Sequence, residues 1–371
     1  MNLKDLFVLN RRVLIFIIIG LLVLEGAVSI AIFQKFAHPE WQRLPAYDQT
    51  TVSLWINQVK KCNDFKVVVL GDSVVHGDAV ESSHDTLPAC ISAELQELLP
   101  EKKIKVFNIG LAGASPAEIF FLFDALEGAG VDLFIYDINL GWFSREKTLE
   151  HQSLQLLKRN LSSQDLRSLG IEPIKPADTP AEEWLSSHIF SHWKLYHYRV
   201  LLNYWLFGKP LREKLEEAKK DPRMLIPFAE NNSTETLEMR AAWKEKNWDG
   251  KLDPVKGRVG SVNLGTNNKQ WLFYQMLLDM VNKKEISVVF FVTPRNYELL
   301  VRYGMIDRPA YVKNLSIVVN EAINHGIPVL DYDHAIPYAL FSDTVHPLPE
   351  GNKILASKIS RDLIEKGYIK R

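Results

Sequence analysis

The chain contains five short runs of apolar residues, and helical patterns separate most of them. The first run, "KVVVLG" at 66–71, is apolar along nearly its whole length, which is typical of a strand covered on both faces. The other four runs are "IKVFNIG" at 104–110, "VDLFIYDINL" at 131–140, "ISVVFFVTP" at 286–294 and "IPVLDYD" at 327–333. Strands that alternate with helices form a parallel sheet between two layers of helices.

This alternation predicts an α/β fold, a flavodoxin-like three-layer sandwich with a five-stranded parallel sheet. Residues 144–268, between the third and fourth strands, are too many for an ordinary crossover, so we interpret them as a mostly helical insertion. The insertion contains the aromatic-rich stretch "WKLYHYRVLLNYWLFGKP" at 193–210. We interpret these aromatics as the insertion's own small core; a sugar-stacking or membrane-facing surface is the alternative.

The N-terminal part carries a long apolar segment, "VLIFIIIGLLVLEGAVSIAIF" at 13–33. As a helix it spans about 30 Å, the thickness of the hydrocarbon core of a bilayer. It is longer than the roughly 7–15 apolar residues of a cleaved signal peptide, so we predict one retained N-terminal transmembrane helix. Lys4, Arg11 and Arg12 precede it, which predicts a single-pass protein of the cell membrane with a cytoplasmic N-terminus.

The predicted domains follow from this anchor. Residues 1–34 form a cytoplasmic stub and the anchor, 35–65 a stalk, and 66–371 an extracytoplasmic domain, periplasmic or at the cell surface. Glu25 interrupts the apolar segment. A carboxylate at that depth is costly when it faces lipid, so it indicates either a partner helix or tolerance after protonation.

Charge and cysteine content exclude some classes of protein. The chain has 44 Lys and Arg residues against 45 Asp and Glu residues, which argues against a nucleic-acid partner. Its two cysteines, Cys62 and Cys90, fall near opposite edges of the predicted sheet, too far apart for a disulfide. We expect two free, mostly buried thiols. No cofactor and no metal site are predicted.

Polar residues stand where the predicted strands end, which is where open parallel sheets bind their ligands. Ser73 follows the first strand in "GDS", and Asp343 and His346 follow the fifth in "SDTVHPLPEGN". A serine becomes a nucleophile when an imidazole takes its proton and a carboxylate holds that imidazole. The Ser73 amide, a glycine amide after the second strand and the Asn139 side chain are candidate donors to an oxyanion. His334, near the end of the fifth strand, is a rival base.

This constellation resembles the SGNH (GDSL-type) hydrolase superfamily. "GDS" resembles its first block, "NIGLAGAS" at 108–115 its second, and "DTVHPLPEGN" its last. The resemblance implies Ser73 as nucleophile, Asp343 and His346 as the rest of the triad, and Ser73, Gly113 and Asn139 as the oxyanion hole. It covers about 66–139 and 286–366. The third block usually reads Gly-x-Asn-Asp, whereas this chain has "DINL" at 137–140.

The anchor and the catalytic blocks together resemble bacterial envelope polymer acylation proteins, of the lipoteichoic-acid D-alanylation or alginate-type O-acetylation kind. "TPRN" at 293–296 is similar to a Pro-x-Asn motif of such proteins, so Arg295 and Asn296 are candidate substrate-binding residues, with loop capping as the alternative. His76, close to Ser73, is a third candidate for lining the pocket.

The resemblance implies a membrane-anchored serine esterase or O-acyltransferase acting on an envelope glycan or an acylated carrier, with a multi-span membrane acyltransferase as a possible partner. The alternatives are a membrane-tethered lipase or esterase for small or lipid esters, and a non-catalytic assembly or glycan-binding subunit. The acyl group, the acceptor, and whether water or a sugar hydroxyl takes the acyl group stay open.

Overall fold

The computed structural model describes residues 11–36, 39–158, 161–174, 184, 193–207, 215, 219, 239–252 and 259–370. The chain divides into two compact units. One unit consists of Met1–His38 and Lys175–Ala229, and the other of Pro39–Ile174 and Glu230–Arg371. The second unit, called the sheet domain below, carries all the candidate catalytic residues.

The sheet domain is built on five parallel strands. They are β1 (Phe65–Gly71), β2 (Ile104–Gly110), β3 (Leu133–Ile138), β4 (Val288–Val292) and β5 (Val329–Asp331). Their order across the sheet is β2-β1-β3-β4-β5, which is the flavodoxin-like order. The predicted α/β fold class is therefore confirmed, and β1 to β4 are buried almost throughout because helices cover both faces.

Helices follow the strands as the sequence pattern predicts. In the sheet domain they are α2 (Gln49–Lys61), α3 (Ser73–His76), α4 (Leu87–Leu98), α5 (Pro116–Leu126), α6 (Ser163–Ser168), α9 (Lys269–Lys283), α10 (Tyr297–Arg302), α11 (Arg308–Asn324) and α12 (Pro349–Glu365). α4 packs against α12 and α5 against α9. Alternate residues of each strand point to the two helix layers, since Val289 and Phe291 join the core of one layer while Phe290 contacts Tyr274 of α9.

Residues 39–64, which lie in the predicted stalk at 35–65, pack against the rest of the sheet domain. The Trp41 amide donates to the Val106 carbonyl of β2 at 2.7 Å. In α2, Val52, Trp55 and Val59 are fully buried. Their spacing places them on one face of a helix, so α2 belongs to the core of this unit.

The predicted insertion contributes to both units. Its first part, up to Ile174, lies in the sheet domain, where Leu149, Leu154 and Leu166 are fully buried. Gln270 of α9 holds this part by donating to the Thr148 carbonyl at 3.0 Å. Its middle part belongs to the other unit, which contains α1 (Arg11–Phe36), α7 (Lys194–His197) and α8 (Arg199–Phe207).

Helix α1 has the length and composition of a membrane span over Arg12–Ile32. Its apolar side chains from Val13 to Leu24 are exposed, with Phe16 72% exposed. Both cysteines are free thiols, Cys90 buried and Cys62 half-buried. Burial raises the pKa of the Cys90 thiol to about 11, which makes it unreactive at neutral pH.

Candidate active site

Ser73 lies directly after the end of β1. Strand β1 ends at Gly71, Asp72 caps α3 by accepting a hydrogen bond from the Val74 amide at 2.7 Å, and Ser73 is the first residue of α3. A Cβ at position 71 would lie 2.0 Å from a carboxylate oxygen of Asp137, so any residue larger than glycine would have to displace that buried side chain. Ser73 is thereby fixed at the carboxyl edge of the sheet.

The loop between β5 and α12 brings an imidazole to this serine. His346 Nε2 lies 2.7 Å from Ser73 Oγ, and His346 Nδ1 lies 2.6 Å from Asp343 Oδ2. The other carboxylate oxygen of Asp343 accepts from the Val345 and His346 amides, at 2.9 Å each. In the neutral imidazole, Nδ1–H donates to the carboxylate and the Nε2 lone pair faces the serine hydroxyl. The structure thus brings together the three residues that the sequence predicts as a triad.

The acid and the imidazole shift each other's pKa. Burial alone would raise the pKa of Asp343, but the charge of His346 and the hydrogen bonds it receives outweigh burial and lower its pKa to about 2. Burial alone would lower the pKa of His346, but the Asp343 carboxylate outweighs it and raises that pKa to about 9. The imidazole becomes a base for Ser73 only when it loses this strongly held proton.

Asn296 supports the loop that carries the acid. Its side-chain amide donates to the Asp343 carbonyl at 3.1 Å, and its own N–H donates to the Thr344 carbonyl at 3.0 Å. Its side-chain oxygen caps α10 by accepting from the Leu299 amide at 3.2 Å. Asn296 is fully buried. These contacts agree with the capping alternative rather than with direct substrate binding.

Three groups were predicted to bind an oxyanion. The Ser73 N–H belongs to the first turn of α3, where amides have no partner inside the helix. Gly113 has a φ of +75°, which favours glycine, and its carbonyl accepts a hydrogen bond from Arg145. The third group, the Asn139 side chain, follows β3 and is 7% exposed.

Hydrogen bonds fix the orientation of the Asn139 amide. Its oxygen accepts from the Gly141 amide at 3.1 Å and from the Arg295 guanidinium. Its nitrogen donates to Asp72 Oδ2 at 2.5 Å. A primary amide has two N–H donors. One donor of Asn139 is thus committed to Asp72, and the second remains for an oxyanion. The role of Asn139 there stays a prediction.

Arg295 is almost completely buried, with 3% of its surface exposed. Besides holding Asn139, its guanidinium lies 5.5 Å from the centre of the Tyr311 ring. Its Nε has no hydrogen-bond partner among the described residues. Arg295 and Asn139 also line a cavity of about 370 Å³, together with Trp142, Val262 and Val345. The part of Arg295 that is not covered by other residues therefore faces this cavity.

Asp72 and Asp137 form a buried pair of carboxyl groups beneath the nucleophile, and each is 2% exposed. Besides Val74 and Asn139, Asp72 accepts a hydrogen bond from the indole N–H of Trp142. Burial, and then the charge of Asp72, raise the pKa of Asp137 well above its usual range. Asp137 occupies the position that is usually glycine in the third block of the SGNH hydrolases. As a neutral acid it can donate a hydrogen bond to Asp72.

His76 and His334 have different surroundings. His76 Nδ1 lies 2.5 Å from Asp78 Oδ1, and its ring is in edge contact with Tyr47. His334 is more than half exposed, stacks on Tyr297 and lies 3.2 Å from the Tyr338 hydroxyl. The imidazole that contacts Ser73 is that of His346, and no contact is found between Ser73 and His334, the rival base, among the described residues.

The sequence did not single out Trp142 or Arg145. Trp142 lies three residues after Asn139, in the 3-10 turn Leu140–Ser144, and this short turn aims its indole N–H at Asp72. Arg145 follows the same turn and holds the Gly113 carbonyl. The only signal in the sequence was that both residues closely follow a strand end.

No family model and no curated protein matches the chain. Solved structures similar to it include the acetylxylan esterase Axe2 from Geobacillus stearothermophilus, at 14% identity and a TM-score of 0.37 over 81% of this chain and 94% of that chain. LAE5, an alpha/beta hydrolase enzyme from the metagenome of Lake Arreo, is similar at 14% identity and a TM-score of 0.35, over 84% and 98%. A possible lipase from Chitinophaga pinensis is similar at 13% identity and a TM-score of 0.36, over 82% and 100%. At these scores the likeness carries no function over to this chain.

Proposed function

We propose that this protein is a membrane-anchored serine esterase or O-acyltransferase that acts on an envelope glycan outside the cytoplasmic membrane. The observation that carries the proposal is the position of His346, whose two ring nitrogens lie 2.7 Å from Ser73 Oγ and 2.6 Å from Asp343 Oδ2. Serine, imidazole and carboxylate in this order are the parts that acyl transfer through a serine requires.

The reaction has two steps. Ser73 Oγ attacks the ester carbonyl while His346 Nε2 takes the hydroxyl proton, and the same imidazole then gives that proton to the departing alcohol. Asp343 holds the ring and stabilises its positive charge. The acyl group, now an ester of Ser73, passes in the second step to water or to a sugar hydroxyl. His346 takes the proton of that acceptor and returns it to Ser73 Oγ as the bond between the acyl group and Ser73 breaks. Water gives an esterase, and a sugar hydroxyl gives a transferase.

The negative oxygen that forms in each step needs hydrogen-bond donors. The Ser73 amide, the Gly113 amide and the second N–H of the Asn139 side chain are the proposed donors. The 370 Å³ cavity beside Asn139 and Arg295 is the proposed binding space for substrate. Its lining by Trp142 suits a sugar ring, since aromatic side chains cover apolar sugar faces.

The preference for an envelope substrate rests on the span at Arg12–Ile32. A catalytic domain tied to the outer face of a membrane meets envelope polymers and their acylated carriers. Such an enzyme also lies where a multi-span membrane acyltransferase would deliver an acyl group, so that protein is the proposed partner.

Two experiments test this function. The purified full chain should hydrolyse p-nitrophenyl acetate, and Ser73→Ala should lose that activity while Ser316→Ala, which changes an exposed serine of α11, keeps it. Equal activity of Ser73→Ala and wild type would show that Ser73 is not the nucleophile.

The second experiment identifies the acceptor. Envelope glycans from a deletion strain, complemented with wild type or with Ser73→Ala, are compared by mass spectrometry. A mass difference of one acyl group per modified sugar between the two strains supports a glycan substrate. Identical glycans, together with release of acyl chains from lipids by wild type alone, would favour the lipase alternative.

A further inference from the structure

Glu25, the one charged residue inside the apolar segment, has hydrogen-bond partners in the predicted insertion. Its carboxylate accepts from the Lys194 amide at 2.6 Å and from the Leu195 amide at 3.1 Å. Both amides belong to the first turn of α7, where N–H groups have no partner inside the helix. The carboxylate and the two amides therefore satisfy one another.

The contacts of Glu25 lie within the part of α1 that would cross the hydrocarbon core of a bilayer. The exposed apolar part of α1 before Glu25, from Val13 to Leu24, is about 18 Å long at 1.5 Å per residue. The hydrocarbon core is about 30 Å thick. The rest of the hydrocarbon core has to be crossed by the part of α1 from Glu25 to Ile32. On this span, the hydrogen bonds to Glu25 hold the backbone of residues 194–195 within the hydrocarbon core.

Helix α8 continues from this point and is strongly apolar. Apart from Arg199 and Asn203, each of its residues is aliphatic or aromatic, yet only Leu201 is buried. An apolar helix whose residues are partly exposed in this way is unfavourable in water and favourable among lipid chains. Tyr and Trp are enriched at the boundary between headgroups and hydrocarbon, and α8 carries both as Tyr204 and Trp205.

We propose that residues 193–207 lie in the outer leaflet of the membrane against α1, with Glu25 as the polar link between the two. The inference rests on the proposed membrane span of α1. Lipid, rather than a second protein, is the proposed partner because α8 belongs to the same compact unit as α1, whose apolar side chains are exposed along the proposed span. A carboxylate in hydrocarbon is costly when it lacks partners, and the hydrogen bonds from the Lys194 and Leu195 amides reduce that cost.

The test uses the full chain reconstituted in phosphatidylcholine vesicles, some made with lipid brominated on its acyl chains, which quenches nearby tryptophan. Nine tryptophans contribute to the emission, so variants are compared. Trp205→Phe should reduce the bromine-quenched part of the emission. Trp55→Phe, which changes a fully buried tryptophan of the sheet domain, should leave that part unchanged. Lipid brominated near the headgroup should quench Trp205 more strongly than lipid brominated near the terminal methyl.

Glu25 variants test the link itself. Glu25→Leu removes both hydrogen bonds and should reduce the quenching of Trp205, whereas Glu25→Gln keeps an acceptor and should retain most of it. Vesicle flotation of each sample separates two failures. Protein that does not float with the vesicles would contradict the span and this inference together. Protein that floats, but whose quenching is the same in Trp205→Phe and wild type, would overturn the inference alone.

Discussion

Arg295 hydrogen-bonds the side-chain oxygen of Asn139, and this contact fixes the orientation of that amide beside the proposed nucleophile's neighbour Asp72. Because the oxygen is held by Arg295 and by the Gly141 amide, the nitrogen is directed to Asp72, the residue before Ser73. A surface amide could rotate by half a turn, but this one cannot do so without placing its NH2 group against a guanidinium. A donor aimed in advance at the developing charge needs no reorganisation during the reaction.

Asn139→Ala should lower kcat for p-nitrophenyl acetate by roughly 10²–10³, the cost of losing one oxyanion donor, with little change in KM. The donor acts mainly in the transition state, when the substrate oxygen has gained charge. Steady-state kinetics of the purified variant measure both constants. A variant that keeps more than about a third of wild-type kcat has lost less than about 1 kcal/mol, and Asn139 would then be a structural residue only.

Arg295→Lys keeps the charge but loses the planar fork that reaches Asn139, and should lower kcat by about tenfold. In the Asn139→Ala background the same change should have almost no further effect, because Arg295 acts through Asn139. Arg302→Lys, an exposed arginine of α10 paired with Glu298, is the matched control and should leave kcat unchanged. Fully additive losses in the double variant would show that Arg295 acts independently of Asn139.

The rate should rise with pH through a single ionisation well above pH 6.5. Protonated His346 cannot accept the Ser73 proton, and the Asp343 carboxylate raises the pKa of His346 to about 9. The pH dependence of kcat/KM, corrected for uncatalysed hydrolysis, reports this pKa in the free enzyme. Asp343→Asn removes the negative charge and should move the inflection down towards the ordinary histidine value. An inflection at or below pH 6.5 in wild type would contradict a raised pKa of His346.

The same pair makes stability depend on pH. The pKa of His346 is raised in the folded state, so its contribution is complete below about pH 6.5 and is lost as the pH rises through about 9. The pKa of Asp343 is lowered, so its contribution is complete above about pH 4 and is lost as the pH falls through about 2. The melting temperature difference between wild type and His346→Ala should therefore be larger at pH 6 than at pH 10. A difference that does not fall between these two pH values would contradict this linkage.

Asp137→Asn should stabilise the protein more at pH 8 than at pH 4. The pKa of Asp137 is raised in the folded state, so ionisation in the unfolded chain favours unfolding as the pH rises. Asparagine has a similar shape, carries no charge and can still donate to Asp72. Melting temperatures at the two pH values measure the effect, and Asp249→Asn in an exposed loop is the control. Equal changes at both pH values would mean that Asp137 is ionised in the folded protein.

The proposed orientation makes the sheet domain accessible from outside the cell. Protease added to intact cells, or to cells with a permeabilised outer membrane, should digest the chain beyond Pro39 and leave a fragment that contains α1. Immunodetection of tags at the two termini follows the fragments. Complete protection of the sheet domain until lysis would reverse the orientation predicted from Arg11 and Arg12.

Much of the fold was readable from the sequence because buried parallel strands are apolar along their length. The predicted first strand, 66–71, differs from Phe65–Gly71 by one residue. The closeness of Asp343 and His346 was also predictable, because a turn of three residues brings them together. The packing of 39–64 was missed, although Val52, Trp55 and Val59 repeat with helical spacing. The polar residues between them in α2 made this buried face difficult to recognise from the sequence.

Long-range contacts between polar groups were not predictable in this way. Arg295 meets Asn139 across 156 residues, and Lys194 meets Glu25 across 169. Such pairs leave no periodic pattern in the sequence, and only the register of the strands or the packing of a distant helix brings them together. For Glu25 the sequence left open a partner helix or protonation, and the hydrogen bonds to α7 favour the partner.

The reactivity of Ser73 towards a fluorophosphonate tests the central claim most directly, since such reagents form a covalent adduct with a serine that a neighbouring base activates. Intact-protein and peptide mass spectrometry of the full chain should find one adduct, on the peptide that contains Ser73. Labelling should disappear in Ser73→Ala and become much slower in His346→Ala. A folded wild-type protein that gains no adduct, or one that is labelled equally in Ser73→Ala, would contradict the assignment of Ser73 as the nucleophile.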